Sequence, residues 1–339
     1  MAFAKPNVLR TGVLLLAFLL LCLLVLYGGW SSFQRSPDGT TDDRRLEFTG
    51  KQVVGSSSSL LTSGVGSGSR ASKPQFQFIN RVVTTFDKEA AAAMLQLVTR
   101  KAPSRDPEMI EIVRHLLDPP PTEGSLTLSK GILDTPQSKE VDALFNQAKG
   151  GFFVECGALD GERASNSLPF EFNRQWTGIL IEANPYYYTQ LLGKNRNVWS
   201  INACLSPYNY ATHLQFESSK GHTGRVVLLD DEHRPSANKR KRTDLVACFP
   251  LETILLALNQ TRVDYFSLDV EGLELEVLKT IPFDRIDIRV LTVEYMHGGG
   301  GKDAYKSFME SKGFRTHKEL KYSEPRAGLF AEDYVFVKQ

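Results

Sequence analysis

Cysteine is scarce in this chain: four in 339 residues, at positions 22, 156, 204 and 248. No two of them stand at the spacing of a structural zinc site, which argues against a zinc-built fold. An excess of charge of either sign is also missing. Lys and Arg number 40 against 39 Asp and Glu, so nothing global points to nucleic acid. No internal repeat is evident, which sets aside repeat architectures. The Gly-rich run Gly64-Val65-Gly66-Ser67-Gly68-Ser69 has no strand before it and no helix with a phosphate-contacting Lys after it, so it is not a phosphate loop.

What is present is unevenly spread. Apolar residues make up 42% of the chain, but residues 11–30 carry no charge at all, and 13–27 are almost entirely Leu, Val, Phe and Ala. At about 1.5 Å per residue, roughly 18–20 such residues span a hydrocarbon core. Tyr27 and Trp30 stand where an interfacial aromatic belt would be. A cleaved signal peptide is the plainer alternative, but its apolar part is normally about 7–15 residues and ends in small residues. The expectation is therefore an uncleaved anchor at 11–30 after a short tail, 1–10. Lys5 and Arg10 keep that tail cytoplasmic by the positive-inside rule and put the rest in a lumen or outside.

Residues 31–78, with Ser56-Ser57-Ser58-Ser59 and the Gly-Ser run, read as a flexible stem. Residues 79–149 read as a helical extension, with helices over 90–101, 107–117 and 138–149, the last ending on Gly150-Gly151. From 150 to 339 the pattern changes. Strands are expected at 152–154, 178–181, 198–202, 263–268, 287–293 and 334–337, with helices at 185–192, 251–258, 273–280 and 303–312. This alternation implies an α/β fold, a mostly parallel sheet covered on both faces. The run Lys239-Arg240-Lys241-Arg242 follows a polar stretch and reads as a solvated loop.

The chemistry-bearing motifs sit at the expected carboxyl ends of these strands. The first strand runs into Glu155-Cys156-Gly157-Ala158-Leu159-Asp160-Gly161. Here Gly157 permits a tight turn and Gly161 close approach of a ligand, as ligands in such sheets bind near the first strand-to-helix turn. The spacing is not that of a dinucleotide loop. The second strand ends in Glu182, 21 residues after Gly161, where an acid can accept hydrogen bonds from a ribose diol. Together they point to a nucleoside-bearing cofactor. The stretch Asp269-Val270-Glu271-Gly272-Leu273-Glu274 puts Asp269 at a strand end facing the cleft. Clustered acids of this kind can act as base, orient a hydroxyl or hold a metal. Glu274 reads more simply as an acid at a helix N-terminus. Another strand ends in Glu294, and His297 three residues on can serve as a base near neutral pH.

These residues resemble a known family. Phe153-Val154-Glu155-Cys156-Gly157-Ala158-Leu159-Asp160-Gly161, then Ser165-Asn166-Ser167-Leu168, is similar to the opening of FkbM-type methyltransferases. Residues 178–185, Asn202-Ala203-Cys204-Leu205-Ser206 and 269–274 continue the resemblance, which covers about 150 to 337. It implies a Rossmann-like methyltransferase fold and S-adenosyl-L-methionine as cofactor, held by Glu155, Gly157, Ala158, Gly161, Asn166 and Glu182. It also implies O-methyl transfer; Asp269, Glu294 and His297 are the catalytic candidates from their own chemistry, and no metal site is expected.

The order of tail, anchor, stem and FkbM-like domain resembles the arthropod Star proteins. That resemblance implies a type II membrane protein of the endoplasmic reticulum and Golgi, or endosomes, with a lumenal C-terminal domain. Its implied partners are the bilayer and transmembrane growth-factor precursors, and its alternative role is non-catalytic trafficking of epidermal-growth-factor-receptor ligand precursors. In an oxidising compartment Cys156, Cys204 and Cys248 allow one disulfide and one free thiol. Cys204 with Cys248 is the preferred pairing because Cys156 lies in the ligand turn; the others stay open. Asn259-Gln260-Thr261 is an acceptor pattern for N-glycosylation.

Overall fold

The structure is a computed structural model that describes residues 88–124, 126–129, 131–218, 224–228, 242–298, 300–324 and 329–339. The expected tail, anchor and stem lie outside the described residues. Among the described residues, no helix is long and apolar enough to cross a membrane.

Three helices come first: α1 (Lys88–Thr99), α2 (Pro107–Leu116) and α3 (Pro136–Leu144). Local chemistry sets the start of the second and third. Asp106 caps α2 by accepting from the Glu108 and Met109 amides, and Pro107 occupies the first turn, where its missing N–H is not needed. Thr135 and Ser138 form a reciprocal capping box at α3. The sequence places the end of α3 at Lys149, but the helix stops at Leu144. Asn146 and Gln147 are left-handed, with φ of 48° and 59°, and Phe145 leaves the helix to pack edge-on against Trp176. Burying that aromatic pair outweighs the few helical bonds lost.

The main sheet is built from β1 (Phe152–Cys156), β2 (Thr177–Ile181), β3 (Trp199–Ile201), β8 (Arg262–Leu268), β9 (Asp287–Glu294), β10 (Phe314–Glu324) and β11 (Leu329–Lys338). Its order is β10-β11-β9-β8-β1-β2-β3. All neighbours are parallel except β11, which runs antiparallel to both β9 and β10. Every residue of β1 is buried, as a strand covered on both faces requires. Val154, Ile179, Phe266 and Leu291 pack on one face with Met109, Val113 and Leu255. Phe153, Leu180, Tyr265 and Val290 pack on the other with Phe170 and Trp176. The covering helices are α4 (Leu168–Arg174), α5 (Pro185–Leu192), α6 (Leu251–Ala257), α7 (Glu274–Thr280) and α8 (Gly301–Ser311). The chain grows the sheet outward from β1 on one side and from β8 on the other. The two central strands therefore flank a topological switch point, and a crevice opens beyond their carboxyl ends.

A second sheet is not foreseen from the sequence. It joins β4 (Cys204–Leu205), β5 (Thr212–Ser218), β6 (Gly224–Val227) and β7 (Arg242–Phe249) in the order β4-β7-β5-β6. Cys204 and Cys248 are register partners on adjacent strands and form a disulfide, and Cys156 is the buried free thiol.

Candidate functional site

The crevice at the switch point is a cavity of about 130 Å³. Gly157, Glu182 and Asp269, from the ends of β1, β2 and β8, all line it. Tyr187 of α5 and Leu205, Phe216 and Val226 of the second sheet complete its apolar walls. Gly157 has φ of +87°, and a Cβ there would lie 2.0 Å from the Asp269 carbonyl oxygen. The reason is local: the Asp269 amide donates to the Cys156 carbonyl at 3.2 Å, drawing the two strand ends together where only glycine fits.

Glu182 is almost fully buried and accepts from the Leu159 and Asn184 amides, each at 2.7 Å. Burial pushes its carboxyl up to about 7, and the two amide bonds act against that rise. Each oxygen keeps a lone pair for a ligand in the cavity.

Glu155, at the end of β1, does not line the cavity. Its carboxylate accepts from the Asn166 amide at 2.6 Å and from the Ser165 and Ser167 hydroxyls at 2.8 and 2.5 Å. It fastens the turn that Gly157 opens. Asn166 is committed elsewhere: its side chain donates to Ser267 at 3.0 Å and accepts from Thr135 at 2.6 Å. Gly161 has φ of +76° and a Cβ there would sit 3.1 Å from Leu191, so it sets the approach of α5. Ala158 is buried among the apolar residues of the Phe153 face. These four residues shape the site from behind.

On the other side of Asp269 lies a group of acids. Asp269, Glu274 and Glu294 each offer an oxygen within 4.8 Å of the others. Asp269 is open to solvent at the cleft. Desolvation by the protein around it, then the Glu294, Glu271, Asp333 and Glu274 charges, holds its carboxyl well above the usual carboxylate range. Glu294 is pushed up to about 8 by burial first and by Glu274, Glu271 and Asp333 next. Glu274 is fully buried and accepts from the Val270 and Gly272 amides at 2.9 and 3.1 Å, so it fixes the loop between β8 and α7.

His297 stands at the rim. Its Nδ1 is 2.8 Å from Glu294 and 3.2 Å from Glu271. Whenever either carboxylate is ionised, the ring proton is held at Nδ1 and Nε2 is left as an acceptor. His297 reaches the cavity through Glu271, which lines it. The sequence reading missed the wall residues Tyr187, Phe216 and Val226. A signal for Phe216 exists: in Thr212-His213-Leu214-Gln215-Phe216, burial of Leu214 and Phe216 follows the two-residue period of a strand.

Residues 155–316 match the Methyltransferase FkbM domain. No curated protein matches the chain. Solved structures similar to it include methyltransferase FkbM from Methylobacillus flagellatus KT, at 12% identity over 74% of this chain and 59% of that one, with a TM-score of 0.36. Another is precorrin-6y C5,15-methyltransferase from Geobacter metallireducens GS-15, at 14% identity over 62% and 91% of the two chains, TM-score 0.33. A third is 1,6-didemethyltoxoflavin-N1-methyltransferase from Burkholderia thailandensis, with bound 1,6-didemethyltoxoflavin and S-adenosylhomocysteine, at 11% identity over 60% and 76%, TM-score 0.32. Beyond the strand ends of a mostly parallel sheet, then, residues 155–316 form an FkbM-like methyltransferase-fold domain, whose match supports S-adenosyl-L-methionine as cofactor.

Proposed function

We propose that this chain is an S-adenosyl-L-methionine-dependent methyltransferase acting on an oxygen acceptor. The observation that carries the reading is the convergence of Gly157, Glu182 and Asp269 on one cavity at the switch point. The residues fit the cofactor: a glycine turn that leaves backbone open, a buried carboxylate with spare acceptor capacity, and apolar walls for a base. When bound, the cofactor supplies an electrophilic methyl group.

The chain's own residues do the rest. Glu182 accepts from the ribose hydroxyls, and Glu155 and Gly157 hold the turn that admits them. Asp269 orients the acceptor hydroxyl from the cavity floor. Glu271, which lines the cavity, takes that proton, and His297 at the rim receives it through Nδ1, 3.2 Å from Glu271. Positioning supplies most of the rate, because only one proton has to be removed. Calorimetry of the full chain with S-adenosyl-L-methionine tests the reading. Saturable heat that is lost in Gly157→Ala supports it, and no heat at millimolar cofactor refutes it.

The same proposal includes a type II topology, with 11–30 in the bilayer and the domain in the lumen of the early secretory pathway. Support comes from the uncharged apolar run and from the Cys204–Cys248 disulfide, which suits an oxidising compartment. Asn259 is exposed, in a left-handed turn after α6, as a glycan acceptor must be. Capture of transmembrane growth-factor precursors would be an added role of this domain, tested by co-isolation with the full chain. Among the described residues, no observation favours it over methyl transfer.

A further inference from the structure

The acids behind the cavity floor are more numerous than the proposed chemistry uses. Asp269, Glu274 and Glu294 come from the ends of β8 and β9 and the start of α7, and their oxygens fit within 4.8 Å. Two ligands on opposite sides of a divalent cation, each at roughly 2.1–2.4 Å, are separated by about that distance.

Two buried polar atoms beside the cluster lack an ordinary hydrogen bond. Glu294 Oε2 has no hydrogen bond, although Oε1 meets His297. Independently, the hydroxyl of Tyr305, a residue of α8 with no exposed surface, makes no hydrogen bond of ordinary geometry, although the Leu275 amide acts on it. A buried hydroxyl left without a partner is costly, so a phenol in this position points to a ligand. It faces the cluster. A Cβ at Gly298 would lie 1.6 Å from the Tyr305 oxygen and 3.3 Å from Glu274 Oε2, so the two oxygens confront each other across Gly298. The Glu274 and Glu294 charges also act on the phenol, which burial holds above its ordinary range.

We propose that Asp269, Glu274 and Glu294 bind one hydrated divalent cation, with the Tyr305 hydroxyl accepting from a water on that ion. An all-oxygen donor set selects a hard ion, Mg²⁺ or Mn²⁺, over zinc. Asp269 lines the cavity while Glu274 and Glu294 are buried behind it, so the ion's open positions face the cavity. The acceptor would then be a molecule whose oxygen coordinates the ion, a point that rests on the methyl-transfer reading. The ion site itself does not.

The test is titration of the full chain with Mn²⁺ in the absence of S-adenosyl-L-methionine, read by loss of the free Mn²⁺ electron-paramagnetic-resonance signal. One saturable Mn²⁺ per chain, displaced by Mg²⁺, is expected. Asp269→Asn and Glu294→Gln should each weaken binding by more than tenfold, and Tyr305→Phe by roughly tenfold, the usual cost of an outer partner. Glu310→Gln, at an exposed position of α8, should bind as the parent does. Should Glu294→Gln fail to fold, Asp269→Asn decides, because its side chain opens to solvent. Absence of saturable Mn²⁺, or undiminished binding by Asp269→Asn, overturns the site. Undiminished binding by Tyr305→Phe overturns the role of the phenol. A chain that binds Mn²⁺ but no cofactor keeps the ion site and refutes methyl transfer; the converse refutes the ion site alone.

Discussion

At the scale of single residues, the site turns on two side chains that are small or hidden. Gly157, just past the end of β1, meets the chain leaving β8, and a methyl group there would overlap the Asp269 carbonyl at 2.0 Å. Gly131 has a similar φ, +78°, with nothing near its missing Cβ. Gly131→Ala should therefore cost only the backbone strain of about 1–2 kcal/mol. Gly157→Ala should lower the melting temperature further and abolish cofactor binding. Equal melting temperatures would show that the close approach is not real.

Glu182 yields a second prediction. With its carboxyl near 7, the charged form that accepts from a ribose grows as pH rises through that value. Cofactor affinity measured by calorimetry should rise between pH 6 and 8, and Glu182→Gln should flatten the profile. An affinity that falls with pH in the parent protein would remove the ribose assignment.

At the scale of elements, the second sheet and the disulfide decide the shape of the cavity wall. Cys204 lines the cavity and is tied to Cys248 across 44 residues. Closing a loop of that length restricts the unfolded chain by about 3–4 kcal/mol in the chain-entropy account. Cys248→Ser should lower stability by about that amount in denaturant titration and weaken cofactor binding, while Cys156 stays reduced. A variant as stable as the parent would show that the bridge does not form in the folded protein.

This element was also the least legible in the sequence. Strands β1, β2, β8 and β9 announce themselves as short apolar runs that end in an acid, because both faces are buried. The strands of the second sheet are half-exposed and pair across long separations: Thr212 meets Cys248 and Leu214 meets Val246. No local pattern carries such partners. The early end of α3 was hidden for a related reason, since Phe145 answers to Trp176 rather than to its own helix. At the site, the acids at strand ends were readable from spacing. That Glu155 faces its own loop while Glu182 faces the cavity was not, because Glu155 lies inside β1 level with Leu180 and Glu182 just past the end of β2, a difference that only the register of the paired strands reveals.

At the scale of the whole molecule, the buried acids set how stability varies with pH. Glu182 and Asp333 are both held near 7, well above an ordinary carboxyl. The folded state then binds protons that the unfolded state releases. Their contribution is fully present below the unfolded carboxylate range and is lost as pH rises to about 7. Glu252, lowered by Arg285 and Ser104 despite burial, and Asp264, lowered by the Phe152 amide and then by Arg262 and Arg289, act oppositely and lose theirs as pH falls below the ordinary range. Melting temperature should peak near pH 5 and decline toward pH 7. A stability that climbs steadily from pH 5 to 8 would contradict the environment assigned to these acids. The topology has its own readout: a glycosidase-sensitive mass shift that disappears in Asn259→Gln is expected if the domain is lumenal.

The central claim is that the crevice between β1 and β8 binds S-adenosyl-L-methionine. Calorimetric titration of the full chain at pH 8, with the parent and Gly157→Ala side by side, tests it most directly. One cofactor per parent chain and none for the folded variant is the predicted result. No binding to the parent, or equal binding to both, would contradict it.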